Sequence, residues 1–344
     1  MNATPENDLF HDPEKEKGPS IGCGMVSIII PNWNGKRYLR DCLEAVRAQT
    51  YRDFEVLLVD NASSDSSIEF AKTFFPEIQV VALSQNQGFS GAANEGIQRA
   101  KGEFIALLNN DAKADPPWLE ELVKAIQTSP DIGFCASKIL IAPQGVEIDT
   151  AGDSYTSFGV ALKRGHALSK NRYSRPELVF GACAAAALYR RSLFVEIGLF
   201  DEDFFCTYED VDLSFRAQLS GYRCLFVPGA VVHHIGGGTL GQDNHSTAYY
   251  GQRNLESVLF QNMPASLLLK YLPVHCGYLI LAFLYSLFKG RGGVFLQAKR
   301  DALLHIERVL AKRKEVQAKR RVTLEYLEGI LDRRSLWQHV VQAK

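Results

Sequence analysis

Four short apolar runs constrain what this 344-residue chain can fold into. They read "VSIIIP", "FEVLLVD", "IQVVAL" and "GEFIALL". Runs of this length, bounded by glycine, proline or polar turn residues, fit strands buried on both faces. Between them stand "GKRYLRDCLEAVRAQ", with Leu39, Cys42, Leu43 and Val46 at helical spacing, then "DSSIEFAKTFF" and "SGAANEGIQRA". Strands alternating with helices imply parallel βαβ units and a doubly wound, Rossmann-like α/β sheet. Ligands of such sheets bind beyond the carboxyl ends of the strands. The segments "PNWN", "DNASSD" and "NND" stand at those ends. No GxGxxG follows the first strand, which counts against a dinucleotide dehydrogenase.

Downstream, a helix is expected from Pro116–Pro117 to about Ser129, then a strand at "IGFCASKIL". Residues 145–178 lack periodicity and suggest a hairpin or loop excursion. "FGACAAAALYRRSLFVEIGLFDEDFF" reads as a small-residue run, a short helix and an acidic turn. "YEDVDLSFRAQLSG" reads as a helix with an acidic first turn and a glycine stop. "YRCLFVP" and "AVVHH" read as two short strands. From about Thr247 the pattern is helical. Ser266 to Phe288 is strongly apolar but broken by Lys270, Pro273 and His275, leaving 13 cleaner residues from Cys276. A bilayer span needs roughly 20, so a re-entrant or interfacial segment is expected; the alternative is a pair of buried core helices. The expected organisation is a loosely attached tail (1–24), a catalytic-type domain (25–245) and a helical extension (246–344). The extension has an apolar part at 266–288 and a basic part at 289–344.

Charge sharpens that division. The whole chain carries a net charge of -1 and makes no argument for nucleic acid. From Lys289 to Lys344, however, 14 Lys and Arg face six Asp and Glu. A basic run directly after an apolar one fits anionic membrane headgroups. The seven cysteines are odd in number, irregularly spaced and form no CxxC pair, which fits reduced thiols of a cytosolic compartment and not zinc. The polar first 24 residues lack the apolar core of a signal peptide.

Several residues are candidates for chemistry. Asp60 ends a strand and either belongs to a plain strand–turn–helix or accepts from a base N–H or a ribose hydroxyl. "NND" is either an Asx-type turn or a metal elbow in which Asp111 supplies the carboxylate to Mg²⁺ or Mn²⁺ and Asn109 a neutral oxygen. Glu209, Asp210 and Asp212 crowd one helix start. Helix-dipole placement explains one or two of them, but crowded carboxylates raise one another's pKa and favour a general base. Asp210 and Asp212 should point to different sides and differ in role. His233 and His234 face opposite sides of a strand, so one should point toward the site. The glycines after them would let that loop close over a diphosphate.

The strings "VSIIIPNWNG", "LLVDNASSD", "NQGFSGAANEGI", "GEFIALLNND", "GLFDEDFFCTYEDVDLSFR" and "VPGAVVHHIGG" occur in this order. The chain thereby resembles the family 2 glycosyltransferases of GT-A fold, in particular the rhamnosyltransferase-like branch, over about residues 25–240. The resemblance implies that Pro31, Asn32, Asn34, Asp60, Asn94, Asn109 and Asn110 bind the nucleotide sugar. It places Asp111 and His234 on a Mg²⁺ or Mn²⁺ ion, with Asn109 standing where an acid is common. Asp210 matches the catalytic base, while Gly181, Ala182, Cys183 and Glu209 match the pocket for donor sugar and acceptor. It further implies an inverting, metal-dependent transfer from a nucleoside diphosphate sugar, dTDP-rhamnose the leading candidate, to a saccharide or lipid-linked saccharide in cell-envelope polysaccharide synthesis. The setting would be cytoplasmic, at the inner face of the cell membrane. The competing expectation is an inactive nucleotide-sugar-binding scaffold on the same fold.

Overall fold

The computed structural model describes residues 24–236 and 244–334. Of the expected tail at 1–24, residues 1–23 lie outside the described residues, as do 237–243, which hold the rest of the glycine loop, and 335–344 of the basic part. The first half follows the expected alternation: β1 (Val26–Asn32), α1 (Lys36–Arg47), β2 (Phe54–Asp60), α2 (Ser67–Phe74), β3 (Gln79–Ala82), α3 (Gly88–Arg99) and β4 (Phe104–Leu108). β3, β2, β1 and β4 lie side by side and parallel. Their alternate side chains feed two cores. Ile28, Ile30, Leu58 and Leu108 pack with α1, and Ile29, Val59 and Leu107 pack with α3. Burial on both faces explains why these strands read as continuous apolar runs.

The second half departs from the sequence reading at three places. A three-residue strand, β5 (Ala112–Ala114), follows directly on the "NND" turn. After α4 (Trp118–Ile126) and β6 (Ile132–Ile141) comes the 145–178 excursion, which holds β7 (Ile148–Ala151), β8 (Asp153–Tyr155), β9 (Ala161–Lys163) and β10 (Glu177–Val179). The alanine run then forms a strand, β11 (Ala186–Arg190), inserted antiparallel between β4 and β6. Alanine has low strand propensity, and pairing on both edges overrides it. Beyond α5 (Arg191–Ile197) and α6 (Glu209–Leu219), the two expected short strands are one 12-residue strand, β12 (Arg223–His234). Its register against β6 shifts between Val227 and Val231, where Pro228 and Gly229 suit a bulge. The sheet order is β10-β12-β6-β11-β4-β1-β2-β3, with β5 on β12 and β7 on β6.

The extension comprises α7 (Asn244–Asn262), α8 (Ala265–Phe288), α9 (Gly292–Leu304), α10 (Ile306–Ala318) and α11 (Leu324–Ile330). It shares a core with the preceding domain: Tyr155, Phe180 and Phe215 meet Val258, Leu259, Met263 and Leu327. The expected break in α8 is not found; the helix runs 24 residues through Pro273. His275, two residues on, bonds Phe158 O through Nδ1 (2.8 Å) and Glu256 through Nε2 (3.0 Å), pinning the helix where Pro273 removes a backbone donor. Only 11% of the helix's apolar window is buried, which sets aside the core-helix alternative, and its length and composition suffice for a membrane crossing. The basic part is partly engaged with the domain before it. Lys299 pairs with Glu256, Lys312 with Asp201 and Asp203, and Arg321 with Glu196. Part of its charge is therefore answered by acids of the protein itself.

Beside these ion pairs, Asn254 ties the extension to the loop before α6. Phe205, Thr207 and Tyr208 all have φ between 62° and 69°, a conformation that costs non-glycine residues energy and is held by its surroundings. Asn254 of α7 supplies that hold, its Nδ2 lying 3.0, 2.9 and 2.8 Å from the carbonyls of Phe204, Cys206 and Thr207. Asn254→Ala is expected to lower the unfolding free energy by about 2–4 kcal/mol in urea melts, because buried carbonyls lose their donor. A loss under about 0.5 kcal/mol would show that the loop holds itself.

Candidate active site

The carboxyl ends of β1, β2 and β4 are joined by a chain of buried polar side chains. Asn110 Nδ2 donates to Asn32 Oδ1 (2.7 Å), and Asn32 Nδ2 donates to Asp60 Oδ2 (2.8 Å). Asp60 Oδ1 accepts from the Ser63 backbone N–H (2.9 Å). Asp60 is therefore a turn residue that also joins the polar chain at the strand ends, where the nucleotide site is expected. Gly35 allows the approach: a Cβ there would sit 2.0 Å from Asn110 Nδ2. Pro31 is half-buried beside Asn32. Asn34 ties the two strand–helix turns together, its Oδ1 accepting from the Ser64 N–H (2.8 Å). Asn94 has a different place. Its amide donates to Phe200 O and Glu202 and accepts from the Phe200 N–H, so it braces α3 against the loop before α6 and the expectation of nucleotide binding by it is set aside.

The "NND" turn and β12 meet through β5. The Ala112 N–H donates to Asn109 O (3.1 Å), so the stretch is a turn. The same turn starts β5, which pairs antiparallel with β12 so that Ala112 faces His234 and Lys113 faces His233. The result places Asp111 Oδ1 3.1 Å and Asn109 Nδ2 3.2 Å from His234 Nε2. Asp149, at the start of β7, lies 3.5 Å from His234 Nδ1. Burial opposes the charged imidazole, but the hydrogen bonds of Asp111 and Asp149 outweigh it and raise the His234 pKa to about 9. Asp149 is itself held below the usual carboxylate range, despite burial, by His234 and Lys163. His233 faces the other way, 3.4 Å from Asp115. A buried carboxylate oxygen and an imidazole nitrogen at this separation, beside an amide, form a donor set that fits Mg²⁺ or Mn²⁺.

Asp210 stands at the start of α6. Its Oδ2 accepts from the Ala184 N–H (3.1 Å) and its Oδ1 from the Val211 N–H (2.8 Å). Burial pushes its carboxyl up against those two bonds. Asp153 Oδ, Cys183 Sγ and Asp210 Oδ lie within 4.8 Å of one another. Burial, then the neighbouring Asp210, pushes Asp153 up to about 8. Glu209 is buried, and its Oε2 has no hydrogen-bond partner among the described residues. A buried carboxyl oxygen left open is a candidate contact for a bound sugar hydroxyl. Asp212 points away, as its spacing predicts: it pairs with Arg216 (2.7 Å) and accepts from Asn262 (2.8 Å) and Gln261 (3.0 Å). Gly181 exchanges backbone hydrogen bonds with Asp153, and a Cβ there would meet Ser214 Oγ at 2.7 Å. Ala182 N–H points at the same hydroxyl (3.4 Å). The "FGAC" segment thus lies between the hairpin and α6.

The sequence reading missed Asp149, Asp153 and Lys163, all from the aperiodic excursion. "EIDTAGD", with three acids closing on a glycine turn, was the signal available. Lys163 pairs with Asp149 (2.7 Å) and acts electrostatically on Asp153, Cys183 and Asp210. Through Asp149 and Lys163, the His234–Asp111 pair and the Asp210 cluster are linked electrostatically.

The His234 shift carries a stability consequence. A folded-state pKa raised from 6.5 to about 9 contributes stability that is fully present below pH 6.5 and is lost as pH rises through 9. In EDTA, the unfolding free energy of the wild type should fall between pH 6 and 9.5 by roughly 3 kcal/mol more than that of His234→Gln. Equal slopes in urea titrations would contradict the pairing.

Comparison with known proteins bears on this site. Residues 27–198 match the model of the family described as Glycosyl transferase family 2. The O-antigen biosynthesis protein RfbC of Myxococcus xanthus is 32% identical over 231 residues, covering 63% of this chain and 18% of that protein. Glycosyltransferase AglE of Haloferax volcanii is 28% identical over 216 residues, covering 61% of this chain and 66% of that protein. An uncharacterized protein of Sinorhizobium fredii is 30% identical over 230 residues, covering 63% and 25%. The chain thus spans less than two thirds of the length of these relatives. A crystal structure of GalNAc-T7 with UDP, GalNAc and Mn²⁺ superposes with a TM-score of 0.53 at 19% identity, covering 70% of this chain and 52% of that one. That likeness establishes a shared GT-A-type fold.

Proposed function

The chain belongs to glycosyl transferase family 2, and from that premise we propose that it is an inverting, metal-dependent glycosyltransferase. The observation that carries this reading is the pairing of Asp111 with His234 at 3.1 Å, linked through Asp149 and Lys163 to the buried Asp210. A divalent cation held by Asp111 and His234 would supply positive charge to a departing diphosphate. Asn32, Asp60 and Asn110 would orient the nucleoside, their side chains already fixed to one another. Asp210 would take the proton of the attacking acceptor hydroxyl. Burial makes it a stronger base, and the Ala184 and Val211 N–H groups keep it aimed. Glu209 and the Gly181–Cys183 segment would bind sugar hydroxyls. A single displacement inverts the anomeric centre, whereas retention would call for a nucleophile on the opposite sugar face.

The UDP, GalNAc and Mn²⁺ in the GalNAc-T7 structure support a nucleoside diphosphate sugar as donor on this fold, with dTDP-rhamnose the leading candidate. The O-antigen protein among the relatives supports an acceptor in envelope polysaccharide synthesis, a saccharide or lipid-linked saccharide. The exposed apolar residues of α8, with Ile280 at 62%, Leu284 at 54% and Phe288 at 85% exposure, support attachment to the inner face of the cell membrane.

Two measurements test this reading. In a panel of nucleotide sugars with Mg²⁺ or Mn²⁺, one donor should release its diphosphate. Asp210→Asn should slow that turnover by about 10²–10⁴-fold while donor affinity changes by less than about twofold. No turnover with any donor would favour the inactive scaffold, and retained turnover in the variant would remove Asp210 from the base role. For the membrane, Leu284→Asp/Phe288→Asp should cut partition onto anionic vesicles by about tenfold or more. Unchanged partition would place attachment elsewhere.

A further inference from the structure

We propose that a groove between α7, α8 and α9 binds the apolar chain of a single-chain lipid phosphate, with Lys289 and Arg291 holding the phosphate. The inference rests on the membrane-facing acceptor reading above and adds a ligand class and a place. The groove has a volume of about 670 Å³, within the range of sites that enclose one small ligand. Leu281, Ala282 and Tyr285 of α8 and Val294 and Phe295 of α9 make its walls. Leu281 and Tyr285 are 50% and 63% exposed, so the groove opens on the same apolar face of α8 that is proposed to meet the membrane.

The charge at the groove selects the occupant. Lys289 and Arg291, at the α8–α9 turn, belong to its lining, and no carboxylate does. Some other cations of the extension are paired with acids of the protein, as Lys299 is with Glu256 and Lys312 with Asp201. Neither Lys289 nor Arg291 forms an ion pair among those found in the described residues. An apolar trough with two cations beside it and no anion complements an amphiphile with one chain and an anionic head. A neutral lipid would leave the cations unanswered. A bare phosphate would leave the apolar walls in water.

The probe is farnesyl monophosphate, with farnesol and inorganic phosphate as controls, titrated onto the full chain. Wild type should bind farnesyl monophosphate saturably. Ala282→Trp, which fills the groove from one wall, should weaken binding by about tenfold or more. Lys289→Glu/Arg291→Glu, on exposed and half-exposed positions, should weaken farnesyl monophosphate by about tenfold but farnesol by less than about twofold. Ala282→Trp should partition onto anionic vesicles like wild type, which separates the groove from membrane attachment. Unchanged farnesyl monophosphate affinity in both variants overturns the inference, even where vesicle partition persists. Full competition by millimolar inorganic phosphate, or a dimer that Ala282→Trp converts to a monomer, overturns it in favour of a headgroup-only site or a self-interface. Loss of vesicle partition in the wild type would instead remove the membrane reading.

Discussion

The pairing of β5 with β12 is the contact on which the candidate metal centre depends. Three residues, Ala112 to Ala114, lie antiparallel to Val232, His233 and His234. Side chains alternate across a strand, so this register decides which histidine meets Asp111. A one-residue slip would exchange His234 for His233 and send the imidazole to the opposite face. The backbone reinforces the choice, since the Ile235 N–H also donates to Asp111 O (3.2 Å). The turn in "NND" and the approach of Asp111 to His234 are therefore one object: the turn's hydrogen bond at Asn109 starts the strand that carries Asp111 to His234.

Around that pair, residues distant in sequence set the electrostatics. Asp149 touches His234 from one side and Lys163 from the other, and Lys163 acts on the Asp153–Asp210 cluster. The hairpin that brings these groups also packs against α6 and the extension in a common core. The extension is thus part of the catalytic scaffold: Asn262 and Gln261 hold Asp212, and Asn254 holds the strained loop before Glu209. With Asp212 fixed among Arg216, Asn262 and Gln261, the α6 start is held and Asp210 lies beside Asp153 and Cys183.

The βαβ half was legible because strands buried on both faces leave unbroken apolar runs, and β1, β2, β3 and β4 lie where those runs do. Asp60, Asp111 and Asp210 could be singled out because strand ends and helix starts are where such sheets put ligands, whereas only the family resemblance prefers His234 to His233. What could not be read depends on non-local pairing. β11 is an alanine-rich strand whose place between β4 and β6 no local propensity announces. β5 is too short to carry a period. Asp149, Asp153 and Lys163 sit in a segment without periodicity, so their meeting with His234 and Asp210 is a tertiary fact. Asn94 shows the converse: a polar residue in a motif-like string that the fold spends on bracing. Pro273 and Lys270 read as breaks in α8, yet His275 anchors the helix from the far side of the proline.

The central claim is that β5–β12 register makes Asp111 and His234, and not His233, the ligands of a divalent cation. Electron spin echo spectroscopy of Mn²⁺ bound to the protein with a nucleoside diphosphate tests it directly. The account predicts one histidine nitrogen coupling that disappears in His234→Ala and persists in His233→Ala. A spectrum without histidine coupling, or a coupling lost only in His233→Ala, would contradict it.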